Sequence, residues 1–316
     1  MKQWLAVAVL ILGMGLAQKT IKLDYAYYNP VSLVLKEKGW LEQEFAKDGT
    51  RVEWVLSAGS NRANEFLASG SVQFASTAGS AALLARSNGL PLRTVFIYTQ
   101  PEWAALVVGK DSSIKTVADL RGKSIAVTRG TDPYFFLLQA LRTAGLSQKD
   151  VNLVYLQHPD GQQALLTGRV DAWSGLDPYI ADAEVKAGAR IIYRNPLFNS
   201  FGFLNVLESF AAENPETVQR VLRVYARARD YAAKNLEETA AILAKAASLD
   251  VAVARQVITQ RTRFVNPSPG GTQRVVLDRI TQVIVAERLA APGANVAQAA
   301  ATILEPKYLG QALASR

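Results

Sequence analysis

The sequence predicts an α/β fold of two similar lobes, and three observations carry that reading. Short β-rich runs alternate with helical patterns of roughly 10–15 residues, the signature of βαβ units. A weak repeat joins residues 66–88 to residues 164–187. At an offset of 98, Leu67 matches Leu165, Gly70 matches Gly168, Val72 matches Val170 and Ser76 matches Ser174. Each copy reads as a helix, a Gly turn, a short strand, a loop and a second helix. That period is too long for a solenoid and suits two lobes of one architecture. The length, 316 residues, suits one large or two medium domains with enough core to stand without staples.

The elements follow in order. Residues 1–17 read as a cleavable export leader, with Lys2 before a charge-free run from Trp4 to Ala17. That run is shorter than the ~20 residues a membrane span needs. Gly15 and Ala17 are small residues at the minus-3 and minus-1 positions of a cleavage site. A soluble, exported chain beginning at residue 18 is expected. It then opens with a strand over Ile21–Tyr27, and Asn29-Pro30 starts a helix with Asn as cap and Pro in the first turn. Further strands are predicted at Val52–Leu56, Gln73–Ser76, Arg93–Tyr98, Ala104–Val108, Ser124–Val127, Asn152–Tyr155, Val170–Ser174, Arg190–Tyr193 and Phe203–Val206. Thr116 and Asp119 have capping-box spacing, with Gly122 after the short helix. Beyond about Glu208 the pattern is helical, apart from a break at residues 266–271. Val218, Val221, Leu222 and Tyr225 make a buried stripe at helical spacing, while Arg220, Arg223 and Arg227 form a basic stripe that reads as a solvated face.

Composition removes whole classes of chemistry. With no cysteine, disulfides, thiolate metal sites and cysteine nucleophiles are impossible. A Ser–His–Asp relay has only His158, which lies at a predicted loop-to-helix junction with Asp160 as cap. No HExxH, GxSxG, P-loop or GxGxxG occurs, so no catalytic residue, metal ligand or cofactor is assigned. The net charge of +8 (35 basic, 27 acidic) permits nucleic acid or an anionic surface as partner. Export removes nucleic acid from that choice, and absent thiols fit an oxidising compartment.

Binding features are stronger. Ligands of open α/β sheets sit beyond the carboxyl ends of strands, where helix N-termini offer free N–H groups. Five strand–loop–helix junctions have this form. The first three supply Tyr27, Tyr28 and Asn29, then Ser57 and Gly59, then Ser76, Thr77 and Gly79. The fourth, from Thr128 to Tyr134, supplies Gly130, Thr131, Asp132 and Tyr134, and the fifth supplies Trp173 and Asp177. Tyr28, Trp103, Tyr134 and Trp173 are expected to wall the cleft, and amides near Gly130-Thr131 and Thr77-Ala78-Gly79 to hold an anionic head. Asp132-Pro133 and Asp177-Pro178 both read as capped helix starts, with ligand contact the alternative role for each carboxylate.

The segments Ser112–Lys123, Leu137–Leu146 and Gly168–Trp173 with Asp177-Pro178-Tyr179 carry a family likeness. The chain resembles the periplasmic solute-binding proteins of ABC importers for aliphatic sulfonates, with their taurine-, nitrate- and pyrimidine-precursor-binding relatives. The resemblance implies a type II periplasmic-binding-protein fold, two lobes closing by a hinge, and a helical C-terminal region. It places lobe one at residues 18–103 and 207–316 and lobe two at residues 104–206. It implies a periplasmic monomer that takes up a small-molecule solute and hands it to a membrane permease, without catalysis or cofactor. Two departures stand out. Sulfonate binders often carry hydroxyls and a histidine where this chain has Gly130-Thr131-Asp132-Pro133-Tyr134, and many relatives have an acid where it has Gly79. The expected solute is a small organic anion, foremost an aliphatic sulfonate. A pyrimidine-type vitamin precursor, or another heteroaromatic or cationic solute, is the alternative. A biosynthetic enzyme on the same fold is a third reading, opposed by the single histidine.

Overall fold

A computed structural model describes residues 19–314. The expected leader, residues 1–17, lies outside the described residues. The chain opens with β1 (Thr20–Tyr25), α1 (Pro30–Lys38), α2 (Trp40–Ala46), β2 (Arg51–Leu56), α3 (Ser60–Ala68), β3 (Ala75–Ala78), α4 (Gly79–Ser87) and β4 (Leu92–Pro101). A second series follows: β5 (Ala104–Val108), β6 (Ser124–Val127), α5 (Asp132–Thr143), β7 (Asn152–Tyr155), α6 (His158–Leu166), β8 (Ala172–Leu176), α7 (Tyr179–Ala187) and β9 (Arg190–Tyr193). The chain then returns through β10 (Gly202–Leu207) to α8 (Glu208–Glu213), α9 (Pro215–Lys234), α10 (Leu236–Ala247) and α11 (Val251–Arg255). A π-helical turn, Gln256–Gln260, leads into the two-residue β11 (Thr262–Arg263), and α12 (Gly271–Ala286), α13 (Val296–Thr302) and α14 (Lys307–Ala314) end the chain. No helix among the described residues is long and apolar enough to cross a membrane.

The two series build sheets of the same order. The second runs β7-β6-β8-β5-β9, with β5 antiparallel to β8 and β9. In the first, β2 and β1 pair in parallel, a bridge from Leu23 to Phe74 joins them to the approach to β3, and β3-β10-β4 follow with β10 antiparallel to both neighbours. In each sheet the fourth strand, β10 in the first and β5 in the second, runs antiparallel to both neighbours, and only β10 comes from beyond its own series. The repeat offset of 98 carries α3 onto α6 residue for residue, so the two lobes share one helix–turn–strand–helix plan.

Local chemistry explains the boundaries. Asn29 caps α1, its side chain accepting from the Ser32 amide, and Pro30 fills the first turn. Thr116 and Asp119 form the predicted capping box on a short 3₁₀ turn, and Gly122 takes φ +75 after it. The strands expected at Gln73–Ser76 and Val170–Ser174 both pair two residues later. After each Gly turn the β-branched residue serves the turn and the core: Val72 and Val170 are buried before pairing begins. The true strands are richer in Ala, Ser and Gly than β-propensity favours, and burial on both faces decides instead.

The α9 stripe packs inward, with Val218, Val221, Leu222 and Tyr225 fully buried. The basic stripe is not simply solvated. Arg220 lies over Phe45 and pairs with Glu44 and Asp48, and Arg227 lies 3.9 Å over the Trp40 ring, so both guanidinium groups fasten α9 to α2.

Candidate ligand cleft between the two sheets

The helix starts of both series face one another across the two sheets. Asp132, the first residue of α5, is the centre of the contact and is 1% exposed. Its Oδ1 accepts from the hydroxyls of Ser80 and Ser200 (2.8 Å for Ser200), and its Oδ2 accepts from the Ser200 amide at 2.8 Å and Trp103 Nε1 at 2.7 Å. Burial pushes this carboxyl above its ordinary pKa, while the surrounding donors pull the other way. The expected capping role for Asp132 is corrected: Thr131 holds the cap position, its hydroxyl turned back to the Thr128 carbonyl, and the four bonds to Asp132 all come from outside α5.

Tyr28, Trp103 and Thr131 do line the cleft together, with Ser60, Ala78, Pro133 and Leu176. The Tyr28 and Trp103 rings meet edge to face at 5.9 Å, and the Tyr28 hydroxyl donates to the Ser76 carbonyl. Tyr27 and Asp177 border an outer gap beside Arg261. The two sides are pressed together here: the outer gap measures about 10 Å³, no more than one water needs, and the inner one admits none.

Several expected contacts lie elsewhere. Trp173 is fully buried on the helix-covered face of β8, with Ala105, Val107 and Ile180 around it and its indole against Gly161. The strand alternation that turns Ser174 toward Pro133 turns Trp173 away from the cleft. Tyr134 is buried too, packed edge to face on Phe135 and Tyr155 with its hydroxyl 3.3 Å from Gln148. Of the amides expected to hold an anionic head, those of Thr77-Ala78-Gly79 are committed: β3 pairs with β10, the Ala78 amide donates to Ser60, and the Gly79 amide donates to the Phe201 carbonyl. Gly79 serves close packing, since a Cβ there would stand 3.0 Å from the Phe203 ring. Gly130 takes φ +75 and shapes the turn into α5. Thr77 accepts from Asn205 beneath the cleft.

Under Tyr28 lies a buried polar group that the sequence reading does not single out as a whole. Asp24 Oδ1 accepts from the Ser76 amide and hydroxyl at 2.8 Å, and Asn29 donates to the same hydroxyl. Asp24 Oδ2, Ser57 Oγ and Tyr225 Oη are buried without a hydrogen-bond partner. Burial raises the Asp24 carboxyl to about 6, against the bonds from Ser76.

Asp177 bonds the Ala181 amide, as a cap would, and also pairs with Arg261 at 3.0 and 3.2 Å. Arg261 reaches Glu184 at 2.6 Å as well, and its carbonyl accepts from the Glu102 amide. The π-helical turn places it there, a distortion often found at functional sites. Nothing in the local sequence marks Arg261. Ser80 follows Gly79 of the third junction directly, but Ser200 precedes the returning strand and carries no motif.

His158 is fully buried as the first residue of α6; Gln157, not Asp160, holds the cap position, and its side chain makes no capping bond. Its Nδ1 stands 3.1 Å from the Thr128 hydroxyl, and its ring packs against Gly59 across the lobes. Burial lowers its pKa to about 3. The ring is therefore expected to show no titration between pH 5 and 8 in a histidine NMR experiment, where this single residue gives a single set of signals. A midpoint near the ordinary 6.5 would mean that the ring is solvated.

Two α/β lobes with matched sheets, two chain crossings and opposed helix starts define a periplasmic-binding-protein fold. Residues 31–239 match the family described as NMT1/THI5 like. The chain belongs to that family. It is 32% identical over 229 residues to a putative aliphatic sulfonates-binding protein of Bacillus subtilis (strain 168), covering 72% of this chain and 69% of the relative. A protein of the same description in Escherichia coli (strain K12) is 28% identical over 259 residues, with 81% of each chain covered. Among solved structures, the alkanesulfonate-binding protein SsuA from Xanthomonas axonopodis pv. citri, bound to MOPS, superposes with a TM-score of 0.80 at 25% identity. That match covers 90% of this chain and 98% of SsuA.

Proposed function

We propose that this chain is the solute-binding component of an ABC importer and carries a small organic anion, foremost an aliphatic sulfonate. One observation carries the reading: four donors, two hydroxyls, an amide and an indole N–H, converge on one carboxylate between the lobes. Charge-assisted donors in a dry site are the means of holding an oxyanion. The names of the relatives point to the same chemistry. Lobe one comprises residues 18–103 and 207–316, lobe two residues 104–206, and the crossings between them act as the hinge. Tyr28 and Trp103 wall the organic part of the solute. The protein works as an exported periplasmic monomer, presents its closed form to a membrane permease and leaves the energy supply to a separate ATPase.

A cationic or heteroaromatic solute gains little from the arrangement. Each Asp132 oxygen already accepts two hydrogen bonds, and Asp177 is held by Arg261. An enzyme reading gains nothing from His158, which is neutral, buried and without an acidic partner. A thermal-shift screen of alkanesulfonates and taurine tests the proposal. A true solute at 100 times its dissociation constant adds about 2.7 kcal/mol to stability. A flat response from well-folded protein would remove the sulfonate assignment.

A further inference from the structure

The donor set around Asp132 has the form of a receptor with the protein's own carboxylate seated in it. Both oxygens are saturated, two donors each, as the oxygens of a held carboxylate or sulfonate are. The donors come from α4 (Ser80), from the link between β4 and β5 (Trp103) and from the approach to β10 (Ser200), whereas the carboxylate comes from α5 of the second series. Ser80, Trp103, Asp132 and Ser200 are all at most 3% exposed. The carboxylate accepts no hydrogen bond from its own helix, where Thr131 holds the cap position. Arg279 of α12 adds a positive charge that attracts the Asp132 carboxylate, and its Nε is buried without a hydrogen-bond partner.

We infer that Asp132 is a tethered stand-in for the anionic head of the solute: it fills the oxyanion receptor, draws the lobes shut and swings out before a solute anion enters. The inference rests on the organic-anion reading of the cleft. It gives Asp132 a specificity role. A solute binds only where its contacts outweigh those of a carboxylate already in place, and its apparent affinity falls with the fraction of receptor left unfilled. The carboxylate that departs from the hydroxyl-rich pattern of sulfonate binders thus sets a threshold.

The test uses the ligand-free chain and Asp132→Ala, with small-angle X-ray scattering and thermal unfolding as readouts. Sodium acetate supplies a free carboxylate, with sodium chloride at equal ionic strength as control. The variant is expected to be more extended than the parent, and millimolar acetate to restore its compactness and raise its Tm. The parent, whose receptor is filled, is expected to respond to acetate no more than to chloride. Butanesulfonate is expected to bind Asp132→Ser at least about tenfold more tightly than the parent. A variant that stays compact, or that treats acetate like chloride, overturns the inference. If both variants fail to fold, Asp132→Asn takes their place. It keeps the size but turns an N–H toward donors, so it is expected to scatter as a more extended particle, and a compact Asn variant overturns the inference. Acetate closing the variant while no sulfonate binds either protein would sink the sulfonate reading and support the stand-in. Sulfonates stabilising parent and variant alike, with acetate inert, would do the reverse.

Discussion

Arg261→Ala is expected to destabilise the protein by roughly 3–5 kcal/mol at neutral pH, the range for breaking a buried ion pair by removing one partner. Asp177 is 2% exposed and Arg261 10%, so the remaining carboxylate has no solvent to turn to. Burial already raises the Asp177 carboxyl above its ordinary value, opposed first by the Arg261 charge and then by that of Arg194. Without Arg261, the raising influence is less opposed. The pair also spans the lobes: Arg261 adjoins β11, which pairs with β4 of the first sheet, while Asp177 follows β8 of the second. Part of the loss is therefore expected as an opened, more extended particle. A double-mutant cycle with Asp177→Ala reads the coupling by urea unfolding. The double variant should be less unstable than the sum of the singles. A loss below about 1 kcal/mol for Arg261→Ala, the range of exposed pairs, would contradict this account.

Asp24→Asn is expected to act in the opposite direction, and its effect depends on pH. The folded carboxyl sits at about 6 against an ordinary 3.8, so the folded state binds a proton over an interval where the unfolded chain has lost it. Stability from this group is therefore fully present below about 3.8, declines as pH rises and levels off above about 6. The amide variant keeps an oxygen for the Ser76 donors and places an NH2 where Oδ2 has no partner, near Ser57. Above pH 7 it is expected to be more stable by roughly 3 kcal/mol, shrinking toward zero near pH 4. Urea unfolding of both proteins across pH 4–8 measures the difference. A difference that does not change with pH would refute the raised pKa.

The sequence reveals most of the fold and about half of the cleft, and the boundary between them has a physical reason. Runs such as Ala104–Val108 and Ser124–Val127 have a hydrophobic pattern that fixes both type and ends, and the structure returns those bounds unchanged. The small-residue strands β3 and β8 slip by two because their pairing is dictated by β10, β5 and β6, which lie far away in sequence. At the cleft, Tyr28, Trp103, Thr131 and Asp132 are legible as loop residues next to helix starts. Trp173 and Tyr134 mislead, since an aromatic residue beside a loop signals burial as readily as a ligand wall, and only strand alternation and helix facing decide. Ser200 and Arg261 are illegible for another reason. They reach Asp132 and Asp177 through the return crossing and a π-helical turn, and no local pattern encodes that approach.

The late position of β10 in the chain also bears on the order in which the protein can assemble during synthesis. The second sheet is contiguous, from Ala104 to Tyr193, so all five of its strands exist once Tyr193 has been made. The first sheet lacks β10 until residues 202–207 appear, which leaves β3 and β4 unjoined while more than 90 residues are added. The half made first is thus the half completed last. A nascent chain of this design has an incomplete N-terminal lobe for much of its synthesis, with the unpaired edges of β3 and β4 exposed until the return strand arrives.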